Sequence, residues 1–333
     1  MRVLFALVLG MAAAWPATIT AAEPELYKTD VGPHRVHEAK MAWHDAARDR
    51  DVPVKIYAPR DADGALPVVI VSHGLGGSRE GLAYLGRHWA SHGYVAVHLQ
   101  HAGSDVHIWH GKPPAEGRRA MQRAAADPQT ALDRPLDVRF AIDQILAGPL
   151  NVRSRPLSID PGRLAVAGHS FGAFTALASA GITFNPRGVS PINYGDTRLV
   201  ASIALSATAF RNQRPDAFDT IHIPTLHMTG TEDRGAVVDT RPEERRNAYD
   251  RIHNAQKYLV ILDGGDHMVF GGVRRGAAKA TDERHWAIIR STTTAFLDSV
   301  LNRDAAATAW LTDALPKIGG GISSAEQAEP TTD

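Results

Sequence analysis

The chain has 333 residues, with 36 basic and 36 acidic side chains and no cysteine. Such a length holds one large or two ordinary domains and can bury a core that stands without cross-links. The even charge gives no basic excess for nucleic acid, and the missing thiols rule out disulfides, thiolate metal sites and a cysteine nucleophile.

The first segment has the three regions of a secretory signal. Met1-Arg2 is a short positive start, Val3 to Ala14 is an apolar run, and Thr20-Ala21-Ala22 offers small residues at a cleavage point before Glu23. Trp15-Pro16 interrupts the run short of the roughly 20 apolar residues that span a membrane. Residues 1–22 are therefore expected to be removed, leaving no stable transmembrane anchor. Without a twin-arginine pair, general export to a periplasm or the medium is expected.

Residues 23–316 read as a single domain. Arg35 to Trp43 and Val52 to Ala58 form an entry hairpin around a polar turn, closed by Pro59. Leu66 to Ser72 is a continuous apolar run, as a central parallel strand buried on both faces requires. His73-Gly-Leu-Gly-Gly77 follows it, then a helix from about Arg79 to His92 that Gly93 closes. Tyr94 to Leu99 is the next strand. Residues 100–128 read as an irregular loop carrying His101, His107, Trp109 and His110, and those histidines are taken as solvated. Thr130 to Ala147 is an amphipathic helix whose expected apolar stripe is Leu132, Leu136, Phe140, Ile142 and Ile145.

Leu164 to Ala167 is a buried strand and Ala173 to Ala180 a helix. Leu199 to Leu205, Ile223 to Thr229 and Lys257 to Leu262 are further strands, and a last helix runs from about Asp282 to Leu301. The tail, residues 317–333, is rich in Gly, Ser, Glu and Pro and is expected to be without structure. Strands alternating with helices argue an α/β fold with a doubly wound, mostly parallel sheet and an antiparallel N-terminal edge hairpin. Ligands of such sheets bind beyond the carboxyl ends of the strands.

Between the strand at 164–167 and the helix at 173–180, Gly168-His-Ser170-Phe-Gly172 fits the G-x-S-x-G nucleophile elbow. The two glycines let neighbouring segments approach, and the helix N-terminus favours negative charge developing near the Ser170 hydroxyl. A serine hydroxyl needs a base. Downstream, Asp233 and His267 each follow a strand and so share its rim. His267 is the expected base and Asp233 the acid that orients it, with Glu232, Asp263 and Asp266 as rivals. The backbone N–H of Phe171 and that of Leu75, in the glycine-rich 73–77 loop, are the expected oxyanion donors. That loop is not followed by Lys-Ser/Thr and contains no G-x-G-x-x-G, so it does not read as a phosphate cradle. No metal or organic cofactor is expected.

Ser72-His-Gly-Leu-Gly-Gly77, Ala90-Ser-His-Gly-Tyr94 and Gly168-His-Ser-Phe-Gly172 resemble the platelet-activating-factor acetylhydrolase family and its bacterial relatives labelled predicted dienelactone hydrolases. The resemblance covers roughly residues 50–300. It implies an α/β-hydrolase fold and cofactor-free ester cleavage, with Ser170, Phe171, Leu75 and His267 matching the nucleophile, oxyanion donors and base. In the eukaryotic members the acid follows the strand after the elbow. This chain reads Ile203-Ala-Leu-Ser206 there, which transfers the role to Asp233. The dienelactone name belongs to enzymes with a cysteine nucleophile, and this chain has none. Polyester and cutinase-type hydrolases share the layout. The expected function is an exported serine hydrolase acting on small-molecule, lipid or polymer esters. An acyltransferase using the same site and an inactive hydrolase-fold binding protein are the alternatives.

Overall fold

The β-branched and aromatic residues of Val36–Asp45 (β1) and Arg50–Pro59 (β2) pair antiparallel in unbroken register, from Val36 opposite Pro59 to Asp45 opposite Arg50. The computed structural model describes residues 23–331 except 151, 153–155, 186–189, 212, 236 and 274–279. The expected signal segment lies outside the described residues. In chain order there follow β3 (Ala65–Ser72), α1 (Ala83–Ser91), β4 (Val95–Leu99), α2 (Pro114–Ala126), α3 (Pro128–Leu146), β5 (Ser158–His169) and α4 (Phe171–Ala180). A two-stranded ribbon, β6 (Thr183–Phe184) with β7 (Ile192–Asn193), precedes β8 (Leu199–Leu205) and β9 (Thr225–Glu232). The remainder is α5 (Asn247–Arg251), β10 (Lys257–Asp266), α6 (His267–Phe270), α7 (Ala280–Leu301), α8 (Ala305–Ala309) and β11 (Ile322–Ala328).

Among the described residues these strands build one nine-stranded sheet in the order β1-β2-β4-β3-β5-β8-β9-β10-β11. From β4 through β10 neighbours are parallel, and antiparallel pairs flank them on both sides. The apolar runs divide between the two faces as strand geometry demands. Val69 and Val71 of β3 and Ala165 and Ala167 of β5 pack with Trp89 of α1 and Phe296 of α7. Their alternates Val68, Ile70, Leu164 and Val166 pack with Val138, Ile142 and Ile145 of α3. This is the doubly wound sheet with an N-terminal hairpin that the sequence implies.

Three elements differ from expectation. The 100–128 stretch contains α2, which starts with Pro114 in its first turn, has Glu116 beside the positive helix end, and runs on through alanines. On α3 Ile142 and Ile145 of the expected stripe are buried, but Arg134, Asp137, Val138 and Ala141 take the place of Leu132, Leu136 and Phe140, so two charged side chains sit within it. The tail is not wholly without structure, because β11 pairs antiparallel with β10 from Lys257–Ala328 to Leu262–Ile322. Its sequence, Ile-Ser-Ser-Ala-Glu-Gln-Ala, carries little strand propensity. The backbone ladder of an otherwise open sheet edge supplies the drive, and Arg246 grips Glu326 through two bonds of 2.9 and 3.0 Å. Among the described residues no helix is long and apolar enough to cross a membrane.

Candidate active site

At the carboxyl end of β5 the chain reverses into α4 through Ser170, whose backbone lies at φ 57° and ψ −114°. A serine gains nothing from a positive φ, and such a conformation costs about 1–3 kcal/mol. The surroundings hold it there. Ser170 N donates to Leu205 O of β8 at 2.9 Å, and Ser170 O accepts from Ala173 N and Phe174 N. A β-carbon on Gly168 would overlap the carbonyl of Gly172, and one on Gly172 would overlap the carbonyl of Ser72. Both positions therefore have to be glycine for β3, β5 and α4 to close on one another. Phe171 is the first residue of α4, where a backbone N–H has no acceptor within its own helix.

The loop after β3 lies against this turn: a β-carbon on Gly74 would sit 3.5 Å from Ser170 Cβ. Its backbone is tied at almost every polar atom around Leu75. Gly76 N donates to Ser104 O (2.8 Å), Gly77 N to Gly74 O (3.0 Å), and Val106 N to Gly77 O (2.7 Å). Trp109 Nε1 donates to Gly76 O at 2.7 Å. The His73 ring, with Nδ1 2.6 Å from Gly74 O and Nε2 accepting from His101 N, adds a further brace. None of these bonds uses the Leu75 N–H.

On the same rim, β9 and β10 bring Asp233 and His267 together, with Oδ1 and Nδ1 2.9 Å apart. Asp233 is fully buried and the His267 ring is 15% exposed. A carboxylate can only accept, so the contact selects the tautomer with hydrogen on Nδ1 and leaves the Nε2 lone pair for another partner. Asp233 also accepts from Ser206 Oγ and Thr229 Oγ1, both at 2.9 Å, and pairs with Arg245 Nε at 3.2 Å. Burial works against its ionised form. The hydrogen bond from His267 and the charge of Arg245 outweigh that and hold the carboxyl below the usual range. Ser206 Oγ is 2.8 Å from His267 Nδ1 as well. Arg245, itself buried, donates to Ser206 O and Ala207 O and has Nη2 3.2 Å from the same nitrogen. His169, beside Ser170, donates from Nε2 to His267 O (3.0 Å) with the two rings 4.7 Å apart. Burial, then the neighbouring His267 charge, pushes the His169 pKa down to about 3.

The rival acids stand elsewhere. Glu232 and Asp263 are exposed. Asp266 Oδ1 caps α6, accepting from Met268 N and Val269 N. Of the histidines taken as solvated, His107 and His110 are exposed, but His101 is not. Its Nε2 lies 2.9 Å from Ser72 Oγ and its Nδ1 2.9 Å from Asp137 Oδ2, all within the protein interior.

The sequence pattern described as PET hydrolase-like matches residues 31–281. The chain belongs to the PET hydrolase-like family. This family consists of carboxylic ester hydrolases of the α/β-hydrolase fold. The matched span runs from just before β1 to the start of α7 and takes in Ser170, Ser206, Asp233, Arg245 and His267. The platelet-activating factor acetylhydrolase of Cavia porcellus is 24% identical in an alignment of 149 residues that covers 38% of this chain and 34% of that enzyme. The chain thus spans about a third of the length of the curated relative it matches.

Reading the sequence by motif did not find Ser206, Thr229, Arg245, His169 or Arg134. Two of them carry a signal. Ser206 ends a strand on the same rim as Asp233, and Arg134 lies four residues before Val138 on the buried face of α3. Arg245 lies in a charged stretch where nothing separates it from its neighbours Arg241 and Arg246.

Proposed function

We propose that the protein is a serine carboxylic ester hydrolase with Ser170 as nucleophile, His267 as general base and acid, and Asp233 as the orienting acid. The observation that carries this is the part-buried Asp233–His267 hydrogen bond on the rim where Ser170 is held in its strained turn. In this reading, His267 Nε2 takes the Ser170 proton as Oγ bonds to the ester carbonyl carbon. The carbonyl oxygen, now negative, is met by the N–H groups of Phe171 and Leu75. Collapse expels the alcohol, which leaves with the proton from Nε2, and the acyl group stays on Ser170. Water then gives its proton to Nε2 and its oxygen to the acyl carbon, releasing the acid and restoring the serine. The neutral His169 packed on His267 adds no second positive charge while the imidazolium forms.

Membership of the PET hydrolase-like family supports an ester of an aromatic diacid or a polyester as substrate class, and the likeness to the acetylhydrolase supports short acyl esters. Two measurements decide between them for protein starting at Glu23: turnover of p-nitrophenyl esters from acetate to laurate, and release of soluble acid from a polyester film. Both activities are expected to vanish in Ser170→Ala. Activity surviving that substitution, or no turnover together with no labelling of Ser170 by a fluorophosphonate, overturns the proposal. We also infer export, on the strength of residues 1–22. Fractionation of cells expressing the full chain should yield a product whose first residue is Glu23, and a cytoplasmic product retaining Met1 would contradict it.

A further inference from the structure

Behind the elbow lies a guanidinium that the proposed reaction does not touch. Arg134 is completely buried on the face that α3 turns toward the sheet. Its donors reach the segments on either side of Ser170. Nη2 donates to His73 O, in the loop that carries Leu75, and to Ser72 Oγ at 3.1 Å. Nη1 donates to Ser104 Oγ at 2.8 Å, and Ser104 O is the acceptor that holds Gly76 N. Nε donates to Thr175 Oγ1 at 2.8 Å, and that hydroxyl donates in turn to Phe171 O at 3.0 Å. The guanidinium carbon stands 4.5 Å from the centre of the Phe171 ring.

Among the described residues no carboxylate bonds this cation directly, although Asp137, one turn along α3, is engaged by Arg48, Arg50 and His101. Burial works against the cation, and the charges of Asp137 and Asp105 support it through space without a bonded ion pair. The hydrogen bonds run to neutral oxygens on both sides of Ser170, and the ring face adds to the solvation. The planar fork matters because its donors diverge at fixed angles, which lets one rigid group set the distance between two backbone segments. Ser72 adds a second brace. Since it accepts from Arg134, its own hydrogen can go to His101 Nε2, leaving the His101 Nδ1–H for Asp137.

We propose that Arg134 is a positioning residue that fixes the Leu75 and Phe171 N–H groups relative to each other, so that both converge on one oxyanion. This rests on the serine hydrolase reading above. An oxyanion hole works only if its donors are already in place when charge develops, and a small displacement of either forfeits most of its effect. Arg134 bonds the 73–77 loop at His73 O and reaches the first turn of α4 through Thr175 Oγ1 and the Phe171 ring.

The test is kinetic and uses the chain from Glu23. Arg134→Lys keeps the charge and removes the fork. Thr175→Val keeps volume and cuts only the link between Arg134 and Phe171. Each variant is compared with wild type on a p-nitrophenyl ester and on its thiono counterpart, in which sulfur replaces the carbonyl oxygen and the oxygen-sized donor pair contributes little. For Arg134→Lys, the loss expected is about 100-fold in kcat on the oxygen ester, the size of losing one donor. KM should stay within a few-fold, and the oxygen-to-thiono rate ratio should fall in parallel. Thr175→Val should show the same pattern at about tenfold, the effect of one lost hydrogen bond. A residue that only supported the fold would lower both rates together and leave their ratio unchanged. An unchanged ratio in a folded, active variant overturns the inference, and if Arg134→Lys fails to fold, Thr175→Val alone decides. Wild-type inactivity, or activity that survives Ser170→Ala, instead removes the serine hydrolase reading and the inference with it.

Discussion

Asp233→Asn separates catalysis from stability at the point where the site concentrates its charge. The amide has the shape of the carboxyl, but one of its two atoms becomes a donor, at the Oδ1 place that Ser206 Oγ, Arg245 Nε and His267 Nδ1 share or at the Oδ2 place that Thr229 Oγ1 meets, and all four groups now point toward an acceptor. With the amide nitrogen at the Oδ1 place, Nδ1–H loses its acceptor and the imidazole is free to take the wrong tautomer. In the serine triad this costs about 10⁴ in kcat, or about 5 kcal/mol of transition-state stabilisation. Stability changes for a different reason, because Arg245 remains buried without its counter-ion. Breaking such a pair costs about 3–5 kcal/mol. The lower end applies here, since Arg245 keeps its bonds to the carbonyls of Ser206, Ala207 and Asp233.

The pH dependence carries its own sign. A carboxyl held below its unfolded value stabilises the fold at every pH above about 3.9, and that stability is lost as pH falls through the lower folded value. The gap between wild type and variant, read as the urea unfolding free energy, should therefore be full at neutral pH and close in strong acid. Ester turnover and urea unfolding are to be measured on both proteins, with Glu232→Gln as control. A kcat within tenfold of wild type for Asp233→Asn, with turnover lost in Glu232→Gln, would show that the neighbouring carboxylate is the acid and refute the assignment.

Two further predictions follow from the interior. Gly172→Ala pushes a β-carbon into the backbone carbonyl of Ser72, which no rotamer can relieve, so β3 and α4 must part at a cost of about 3 kcal/mol. Ser170 should then lose its reaction with a fluorophosphonate, and a stable, fully reactive variant would contradict the close packing. The second concerns acid. Burial comes first among the causes that push His88, His169 and His227 down to about 3, His98 and His101 to about 4, and His73 well below its ordinary value. The unfolded chain takes up protons below about pH 6.5 while these buried rings stay neutral, so each can remove up to about 1.4 kcal/mol of stability per pH unit. Tm should fall steadily from pH 6.5 to 4.5, ahead of any carboxylate effect, and a flat Tm over that window would refute it.

What could be read from the sequence was local. The elbow announces itself because a strand, two glycines and a helix start must stand at fixed spacing, and Asp233 and His267 follow from their positions after strands. The partners that make these groups work are remote. Ser206 and Arg245 meet His267 from 61 and 22 residues away, and His101 finds Ser72 and Asp137 at separations of 29 and 36. No periodicity encodes such meetings. Arg134 is hidden differently: a charge on a helix reads as a mark of the wet face, so the apolar pattern of α3 points to Leu132, Leu136 and Phe140, with Ile142 and Ile145, and away from Arg134. The tail misled for the opposite reason, since β11 is specified by the ladder of β10 and not by its own side chains.

The position of the proposed acid, after β9 and not after β8, has a physical basis in the same cluster. The two strand ends are neighbours, with Ser206 N donating to Met228 O at 2.7 Å, and both side chains reach His267 Nδ1 within 2.9 Å. A carboxylate on each would place two negative charges at one buried nitrogen with only Arg245 bonded between them, and one would have to protonate. A hydroxyl at 206 avoids that conflict. It can donate to Asp233 while its lone pairs face Nδ1–H, so it strengthens the acid without competing for its charge. The backbone at Ser206 is held at φ 53° to aim that hydroxyl, and Arg245 fixes the turn by bonding the carbonyls of both Ser206 and Ala207. The strand end left without a carboxylate has thus become the brace of the one that carries it.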